Sequence, residues 1–311
     1  MLRSVLLAMA RSEKIKAIVV KLPVTRKVVN RFVSGEEFAD CIRAITDLKA
    51  KGLYATIDYL GEDTTNLAQA EASRDACLEL IRQLKAADLL THAEMSVKLT
   101  ALGLGLEDGE NVAFNNAKAV CDALNEAGTT MTVDMEDHTA TDATLRVVDR
   151  LREVYPWVGT VLQAYLHRTE EDAKRYATKG SRIRLCKGAY AEPAEVAFQG
   201  PKAVDAAYIR SLKILMEGEG RPMIASHDPK MIQAATEIAL RQGRNADSFE
   251  FQMLYGIRAD EQQRLADAGY KVTVYVPVGT DWWGYFVRRL AEKPANLIFF
   301  LRAVPEAILG K

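Results

Sequence analysis

The sequence lacks a charge imbalance and any pattern of clustered cysteines. Lys and Arg total 41 and Asp and Glu total 42, so the formal net charge of -1 provides no overall field that would attract a polyanion. Nucleic acid is therefore not expected as a partner. The four cysteines, Cys41, Cys77, Cys121 and Cys186, form no CxxC pair and have no histidine at ligand spacing. This predicts free thiols and no metal site.

The sequence also lacks a long hydrophobic run. The apolar stretch near the N-terminus covers only Val5 to Ala10, and the longest late one covers Leu297 to Leu301. Both are far shorter than the roughly 20 residues of a membrane-spanning helix, and no small-residue cleavage site follows the first. We therefore expect a cytoplasmic protein, and a peripheral contact with the inner face of the membrane stays compatible with the amphipathic N-terminus.

What the sequence does contain is a regular alternation of strand-like and helix-like segments. Hydrophobic residues make up 49% and charged residues 27%, as in a packed globular protein. Eight short β-branched runs are each followed by a stretch with apolar residues at helical spacing. The runs cover residues 54–60, 95–100, 131–136, 160–166, 182–188, 222–227, 249–254 and 272–277. Eight such units predict an α/β protein with a (β/α)8 barrel of the TIM type.

A doubly wound open sheet is the alternative architecture, but the nucleotide-binding pattern GxGxxG is missing after the first strand. Gly103 and Gly105 form a lone Gly-x-Gly, which a loop explains better. We expect residues 1–50 to form an N-terminal helical segment and residues 51–311 to form the barrel. A C-terminal helix is expected at 294–308, interrupted by Pro305.

Polar side chains stand at the C-terminal ends of nearly all the predicted strands, which is where barrel enzymes carry their reactive groups. Any one of them is explained by a structural role, for instance a buried salt bridge between Lys98 and Asp134. Nine structural coincidences on one rim are improbable, so together they predict a functional site. The residues are Lys98, Asp134, Glu136, Gln163, Arg184, Lys187, His227, Gln252 and Tyr275.

The segment YFVRRLAE, after the eighth strand, places Tyr285, Arg288, Arg289 and Glu292 on one side of a helix. On an isolated helix this pattern would indicate a solvated charged face. Its position after the last strand instead favours two arginines that bind a carboxylate through forked hydrogen bonds, with Glu292 orienting Arg288. Five Lys and Arg outnumber three Asp and Glu on the rim and this helix. We therefore expect an anionic ligand: a carboxylate, a phosphate or both.

The motifs SVKLTALG, VDMEDH, VLQAYL, IRLCKGAY, FEFQMLYG, VYVPVG and YFVRRLAE together resemble the flavin-dependent proline dehydrogenases in their short, single-function bacterial form. The resemblance covers residues 50–293 in order and spacing, and the YxxRRxxE helix after a VYxPxG strand is its most specific part. It implies a distorted (β/α)8 barrel that binds FAD noncovalently without a Rossmann motif. It also implies oxidation of L-proline to 1-pyrroline-5-carboxylate by hydride transfer to flavin N5.

The resemblance further implies roles for individual residues. The substrate carboxylate would be bound by Arg288, Arg289 and Lys98, with Glu292 pairing Arg288 and Asp134 beside Lys98. The substrate ring would be enclosed by Tyr190, Leu254, Tyr275 and Tyr285. FAD would be held by Met135, Gln163, Arg184, Lys187, Gly188, Ala189, Tyr190, Ser226 and His227. Asp134 and Arg184 are the catalytic candidates, and Arg184 would lie near the reactive flavin nitrogen.

The resemblance implies partners as well. Electrons would pass to a quinone through a peripheral membrane contact, and a separate 1-pyrroline-5-carboxylate dehydrogenase would take the product, since 311 residues leave no room for a second catalytic domain. No residue stands out as the base for the proline amine, and water is as good a candidate as His227.

Two other functions stay open at this point. One is a Schiff-base aldolase barrel in which Lys98 or Lys187 is the nucleophile. The other is a ligand-binding barrel without catalysis. Colour separates the three, because only a flavoprotein should be yellow.

Overall fold

The computed structural model describes residue 29 and residues 31–292, and within these the side chains up to residue 289. Eight parallel strands form a closed barrel in sequential order, and the first strand pairs with the last. The strands are β1 (Tyr54–Tyr59), β2 (Ala93–Val97), β3 (Met131–Val133), β4 (Gly159–Gln163), β5 (Arg182–Cys186), β6 (Arg221–Ala225), β7 (Glu250–Leu254) and β8 (Val272–Val278). The predicted (β/α)8 fold is confirmed, and each predicted strand overlaps an observed one.

Nine helices lie in the described part of the chain. They are α1 (Phe38–Ala50), α2 (Leu67–Ala86), α3 (Gly109–Glu126), α4 (Thr141–Val154), α5 (Thr169–Tyr176), α6 (Pro201–Glu217), α7 (Pro229–Arg241), α8 (Ala259–Asp267) and α9 (Trp283–Glu292). Helix α1 precedes the barrel and α9 follows β8. The expected helix at 294–308 and most of the expected segment at 1–50 lie outside the described residues.

The hydrophobic core lies between the strands and the surrounding helices. Side chains alternate along a strand, so one set packs outward and the other points into the barrel. The outward set includes Ile57, Met95 and Phe251, all fully buried. The inward set contains a large group of buried polar side chains: Thr56, Glu94, Ser96, Thr132, Arg184, Glu250, Gln252 and Thr273. The barrel interior is therefore a hydrogen-bonded network instead of the branched apolar layers usual in this fold.

None of the described helices is both long and apolar enough to cross a membrane. Among the described side chains, no group of three or more His, Cys, Asp and Glu could hold a metal ion.

Candidate functional site

Arg184 lies inside the barrel and is hydrogen bonded to side chains from four other parts of the barrel wall. Its Nε donates to Gln252 Oε1 on β7 at 2.5 Å, and its second amino group donates to Thr56 Oγ1 on β1 at 3.2 Å. The remaining amino group donates to Ser96 Oγ on β2 at 2.9 Å and to Asp134, just after β3. Arg184 is only 5% exposed. The guanidinium is thus fixed in the barrel interior, one layer below the mouth.

Lys98 forms the next layer, together with two carboxylates and a tyrosine. Its Nζ lies 2.6 Å from Asp58 Oδ2 and 3.8 Å from Asp134 Oδ2. The Tyr275 hydroxyl donates to Asp134 Oδ2 at 2.6 Å, and Lys98 Nζ donates to the same hydroxyl at 3.4 Å. The predicted contact between Lys98 and Asp134 is therefore present, although Asp58 is the closer partner.

The charge state of the lysines bears on the aldolase alternative. Burial alone would lower the pKa of Lys98, but the carboxylates of Asp58 and Asp134 outweigh it and raise the pKa above its usual value. Burial also acts to lower the pKa of Lys187, but the hydrogen bonds that Lys187 donates to Asp205 and Asp228 outweigh burial and raise the pKa. A Schiff-base nucleophile must be a neutral amine. Both lysines are held as ammonium ions, which argues against that chemistry.

Helix α9 brings its arginines to the same mouth. Arg288 donates both amino groups to Glu62, which lies in the loop after β1, in a forked pair. Burial alone would raise the pKa of Glu62, but Arg288 outweighs it and lowers the pKa. Arg289 is 8% exposed, and its guanidinium lies 5.1 Å from the Tyr285 ring centre. The side chain of Glu292 lies outside the described residues, so its pairing with Arg288 stays a prediction.

Lys98, Arg288 and Arg289 form a cationic group at the mouth. Three of the four predicted ring-binding residues lie next to it. The rings of Tyr275 and Tyr285 are nearly parallel, with centres 6.5 Å apart. The Tyr190 ring centre lies 5.7 Å from the Arg288 guanidinium. Leu254 is the register partner of Tyr275 on the neighbouring strand β7. An apolar wall thus adjoins the arginines.

The predicted cofactor residues come from the consecutive strands β3 to β6. Gln163 donates to the Glu136 backbone carbonyl at 2.7 Å, Ser226 Oγ accepts from the Asp228 backbone N–H at 3.1 Å, and His227 Nε2 accepts from the Leu254 backbone N–H at 2.8 Å. Met135 is buried. These residues end or follow strands β3 to β6 on one arc of the rim, whereas Lys98 follows β2 and Arg288 and Arg289 lie on α9 after β8.

The loop after β5 carries Lys187, Gly188, Ala189 and Tyr190. Gly188 has a φ of +115°, which favours glycine, and a Cβ there would lie 2.4 Å from the Tyr165 ring. Lys187 turns to the side, where Nζ binds Asp205 Oδ1 at 2.5 Å and Asp228 Oδ2 at 2.7 Å. The two ion pairs tie the loop to helices α6 and α7.

Sequence reasoning missed Asp58 and Glu62. The signal for Asp58 was available, because alternation in YATIDY places it on the same face as Thr56 at the end of β1. Glu62 lies beyond the strand in an irregular loop, where no periodicity indicates its direction.

Glu136 is the buried acid of the mouth with a pKa near neutrality. Its carboxylate accepts from the Thr100 backbone N–H at 3.1 Å and from Thr100 Oγ1 at 2.5 Å. Burial is the main cause that raises its pKa, from 4.5 to about 7. The folded protein therefore holds this proton more tightly than the unfolded chain does.

Glu136→Gln should remove a pH-dependent part of the stability. In the parent, the free energy of unfolding should fall on the order of 3 kcal/mol from this group as the pH rises from 4 to 8. Glutamine mimics the protonated acid, so the variant should gain stability relative to the parent over that range. Denaturant unfolding at several pH values measures the difference, and a constant difference would contradict the assignment.

The chain is similar to known proline dehydrogenases over most of its length. Residues 41–302 match the family model described as proline dehydrogenase. Proline dehydrogenase 1 of Bacillus subtilis subsp. natto is 36% identical over 280 residues, which cover 90% of this chain and 91% of that protein. The proline dehydrogenase of Deinococcus radiodurans is 38% identical over 280 residues, with 89% and 90% covered.

Solved structures show the same architecture. Proline utilization A from Bdellovibrio bacteriovorus, inactivated by N-propargylglycine, matches with a TM-score of 0.79 and 26% identity, over 86% of this chain and 32% of that one. The protein of the same name from Corynebacterium freiburgense matches with a TM-score of 0.74 and 20% identity, over 98% and 34%, and shows the fold alone. This chain thus spans about a third of those longer chains. With a family match over most of its length, the chain belongs to the proline dehydrogenase family.

Proposed function

We propose that this protein oxidises L-proline to 1-pyrroline-5-carboxylate with noncovalently bound FAD, the first step of proline catabolism toward glutamate. One observation carries the proposal beyond family membership. The barrel mouth joins a cationic group with an apolar wall, and both adjoin an arc of hydrogen-bonding residues on neighbouring strands. This is the arrangement that a small apolar ring with a carboxylate needs beside a polar cofactor.

The charges of the mouth support a carboxylate ligand. Lys98, Arg184, Arg288 and Arg289 supply four cations, and Asp58, Asp134 and Glu62 supply three carboxylates. The guanidinium groups of Arg288 and Arg289 lie beside the tyrosine wall, where they could donate charge-assisted hydrogen bonds to a ligand carboxylate. A carboxylate buried in the mouth needs such cationic donors, because burying it without them would be costly.

The residues on β4 to β6 fit FAD by their chemistry. They offer an amide (Gln163), a guanidinium (Arg184), a hydroxyl (Ser226) and an imidazole (His227), a set suited to the polar edge of a flavin and to phosphate oxygens. In the loop after β5, Gly188 has no side chain, so its backbone can lie against the Tyr165 ring. We assign Met135, Lys187, Ala189 and Tyr190 to the same cofactor site.

FAD, when bound, supplies the acceptor for the hydride that leaves C5 of proline, while the amine nitrogen loses a proton. The protein's own task is orientation and charge stabilisation. Lys98, Arg288 and Arg289 hold the carboxylate, and Tyr190, Leu254, Tyr275 and Tyr285 hold the ring and exclude water. Arg184, fixed by Asp134 and its other partners, would supply a buried positive charge that stabilises the negative charge gained by the reduced cofactor.

The remaining partners belong to the same proposal. Electrons pass to a quinone at the membrane surface, and the cyclic imine product goes to a separate 1-pyrroline-5-carboxylate dehydrogenase. The protein acts at the cytoplasmic side of the membrane, to which it binds peripherally.

Cofactor content tests the proposal first. The purified protein should be yellow, and acid precipitation should release all the colour, because no residue is expected to bind flavin covalently. Colour retained in the pellet would contradict noncovalent binding. Protein that stays colourless after incubation with FAD and removal of the unbound FAD would contradict the assignment as a flavoenzyme.

Turnover tests the substrate. With an artificial electron acceptor, L-proline should yield a product that 2-aminobenzaldehyde traps as the adduct of a cyclic imine. Absence of the adduct would remove the proposed activity. Covalent trapping of a carbonyl substrate by borohydride would favour the aldolase instead.

A further inference from the structure

A line of buried polar side chains runs from Arg184 toward the opposite end of the barrel. Gln252 accepts from Arg184 Nε through Oε1 at 2.5 Å and donates from Nε2 to Glu250 Oε1 at 2.7 Å. Gln252 is 3% exposed and Glu250 is 1% exposed. Both residues lie on β7, two positions apart, so both point into the barrel.

The chemistry of the two neighbours fixes the orientation of the Gln252 amide. Arg184 can only donate, and an ionised carboxylate can only accept. Turning the amide over would set its N–H groups against the guanidinium and its oxygen against Glu250. The orientation with Oε1 toward Arg184 is therefore the one that satisfies both neighbours.

Glu250 is itself firmly held as a carboxylate. Its Oε2 lies 3.0 Å from Lys271 Nζ and 3.3 Å from Arg221 Nε, and Thr273 Oγ1 donates to Oε1 at 3.0 Å. Burial alone would raise the pKa of Glu250, but Lys271 and Arg182 outweigh it and lower the pKa to about 2. The acceptor that orients Gln252 is thus present throughout the neutral range.

We propose that Gln252, anchored by Glu250, is a positioning residue that sets the direction of the Arg184 guanidinium. The inference rests on the proposed function, in which Arg184 faces the cofactor. The Nε contact points down the barrel, so the two amino groups are left to face Asp134, Ser96 and Thr56. Gln252 is hydrogen bonded to neither α9 nor Lys98, and it reaches Lys98 through Arg184 and Asp134, so we expect its main effect on the cofactor side.

Gln252→Met tests this proposal against a matched variant. Thr132→Val also deletes a buried hydrogen bond inside the barrel, to Glu94 Oε1 at 3.2 Å, and neither Thr132 nor Glu94 is hydrogen bonded to Arg184. In Gln252→Met the dissociation constant of FAD from the reconstituted apoprotein should rise at least about tenfold. The midpoint potential of the bound flavin should fall, kcat should fall, and the KM for proline should change little. Thr132→Val should stay within about twofold of the parent in the dissociation constant of FAD and in the KM for proline.

Gln252→Glu provides a second, pH-dependent readout. When protonated, the introduced carboxyl can accept from Arg184 and donate to Glu250, as the amide does. When ionised, it offsets the Arg184 charge and repels Glu250. The flavin potential, measured relative to the parent, should therefore be nearly unchanged at low pH and fall as the pH rises.

The outcomes separate the two claims. If Gln252→Met matches Thr132→Val in FAD affinity and potential, the positioning role is wrong. If Gln252→Met does not fold, the test is the flavin potential of Gln252→Glu. A difference in potential from the parent that does not change with pH overturns the positioning role. If the parent itself binds no FAD and oxidises no proline, the proposed function fails, and the inference fails with it.

Discussion

Arg289→Met should lower kcat/KM for L-proline by about ten- to a hundredfold. Methionine keeps much of the apolar stem but deletes a buried fork whose hydrogen bonds to a charged carboxylate are each worth about 1.5–3 kcal/mol. Arg288→Met should have an effect of the same size. FAD content should stay near that of the parent, because both residues lie on α9, whereas the cofactor arc follows β3 to β6 and is approached by Arg288 at the Tyr190 ring. Steady-state kinetics and the flavin-to-protein ratio measure the two quantities.

Three controls make this result specific. Arg289→Lys should recover little, because an ammonium restores the charge without the forked geometry. A cyclic amine without a carboxylate should be turned over as poorly by the variants as by the parent. Arg264→Met, at an exposed arginine paired with Glu261, should leave the kinetics unchanged. If both α9 variants match the parent with proline, the arginines are structural and the substrate assignment loses its main support.

Lys98→Met should destabilise the fold by about 3–5 kcal/mol as well as abolish proline binding. Asp58 is 1% exposed, and without Lys98 its buried carboxylate loses the cation 2.6 Å away. Adding Asp58→Asn should restore most of the stability, since the uncompensated charge is gone, but should not restore activity. Denaturant unfolding and steady-state kinetics of both variants separate the two effects.

Lys174→Met is the matched control for Lys98→Met. Lys174 also lies 2.6 Å from a carboxylate, Glu171, but its side chain is 58% exposed, compared with 7% for Lys98. Water screens the exposed pair, so its loss should leave stability nearly unchanged. Equal stability losses in the two variants would show that burial of the Lys98 pair is not what gives it its strength.

The sequence was sufficient for the barrel because its signal is local. The period of its own apolar residues indicates each strand and each helix, and eight strand–helix units are compatible with few architectures. The order of the strands placed Lys98, Arg184 and Tyr275 at the C-terminal ends of strands on one rim, and the structure brings these three together. Helical spacing likewise put Arg288 and Arg289 on one helix near the mouth.

Partners across the barrel could not be predicted in the same way. Spacing tells which residues share a face of one element, but not which residue of a distant loop meets that face. Arg288 is joined to Glu62, 226 positions earlier in the chain, and a loop without periodicity gives no direction for Glu62. Gln252 was expected on the rim, whereas it lies one layer deeper and binds Arg184. Depth along a strand depends on the tilt and register of the closed barrel, which emerge only when all eight strands pair.

Anaerobic addition of L-proline to the purified, FAD-loaded protein tests the central claim most directly. The visible flavin absorbance should bleach in proportion to the proline added, with one cyclic imine formed per flavin reduced. A cyclic amine without the carboxylate should bleach it far more slowly, since it cannot use Lys98, Arg288 and Arg289. A yellow protein whose absorbance does not change with saturating L-proline would contradict the account.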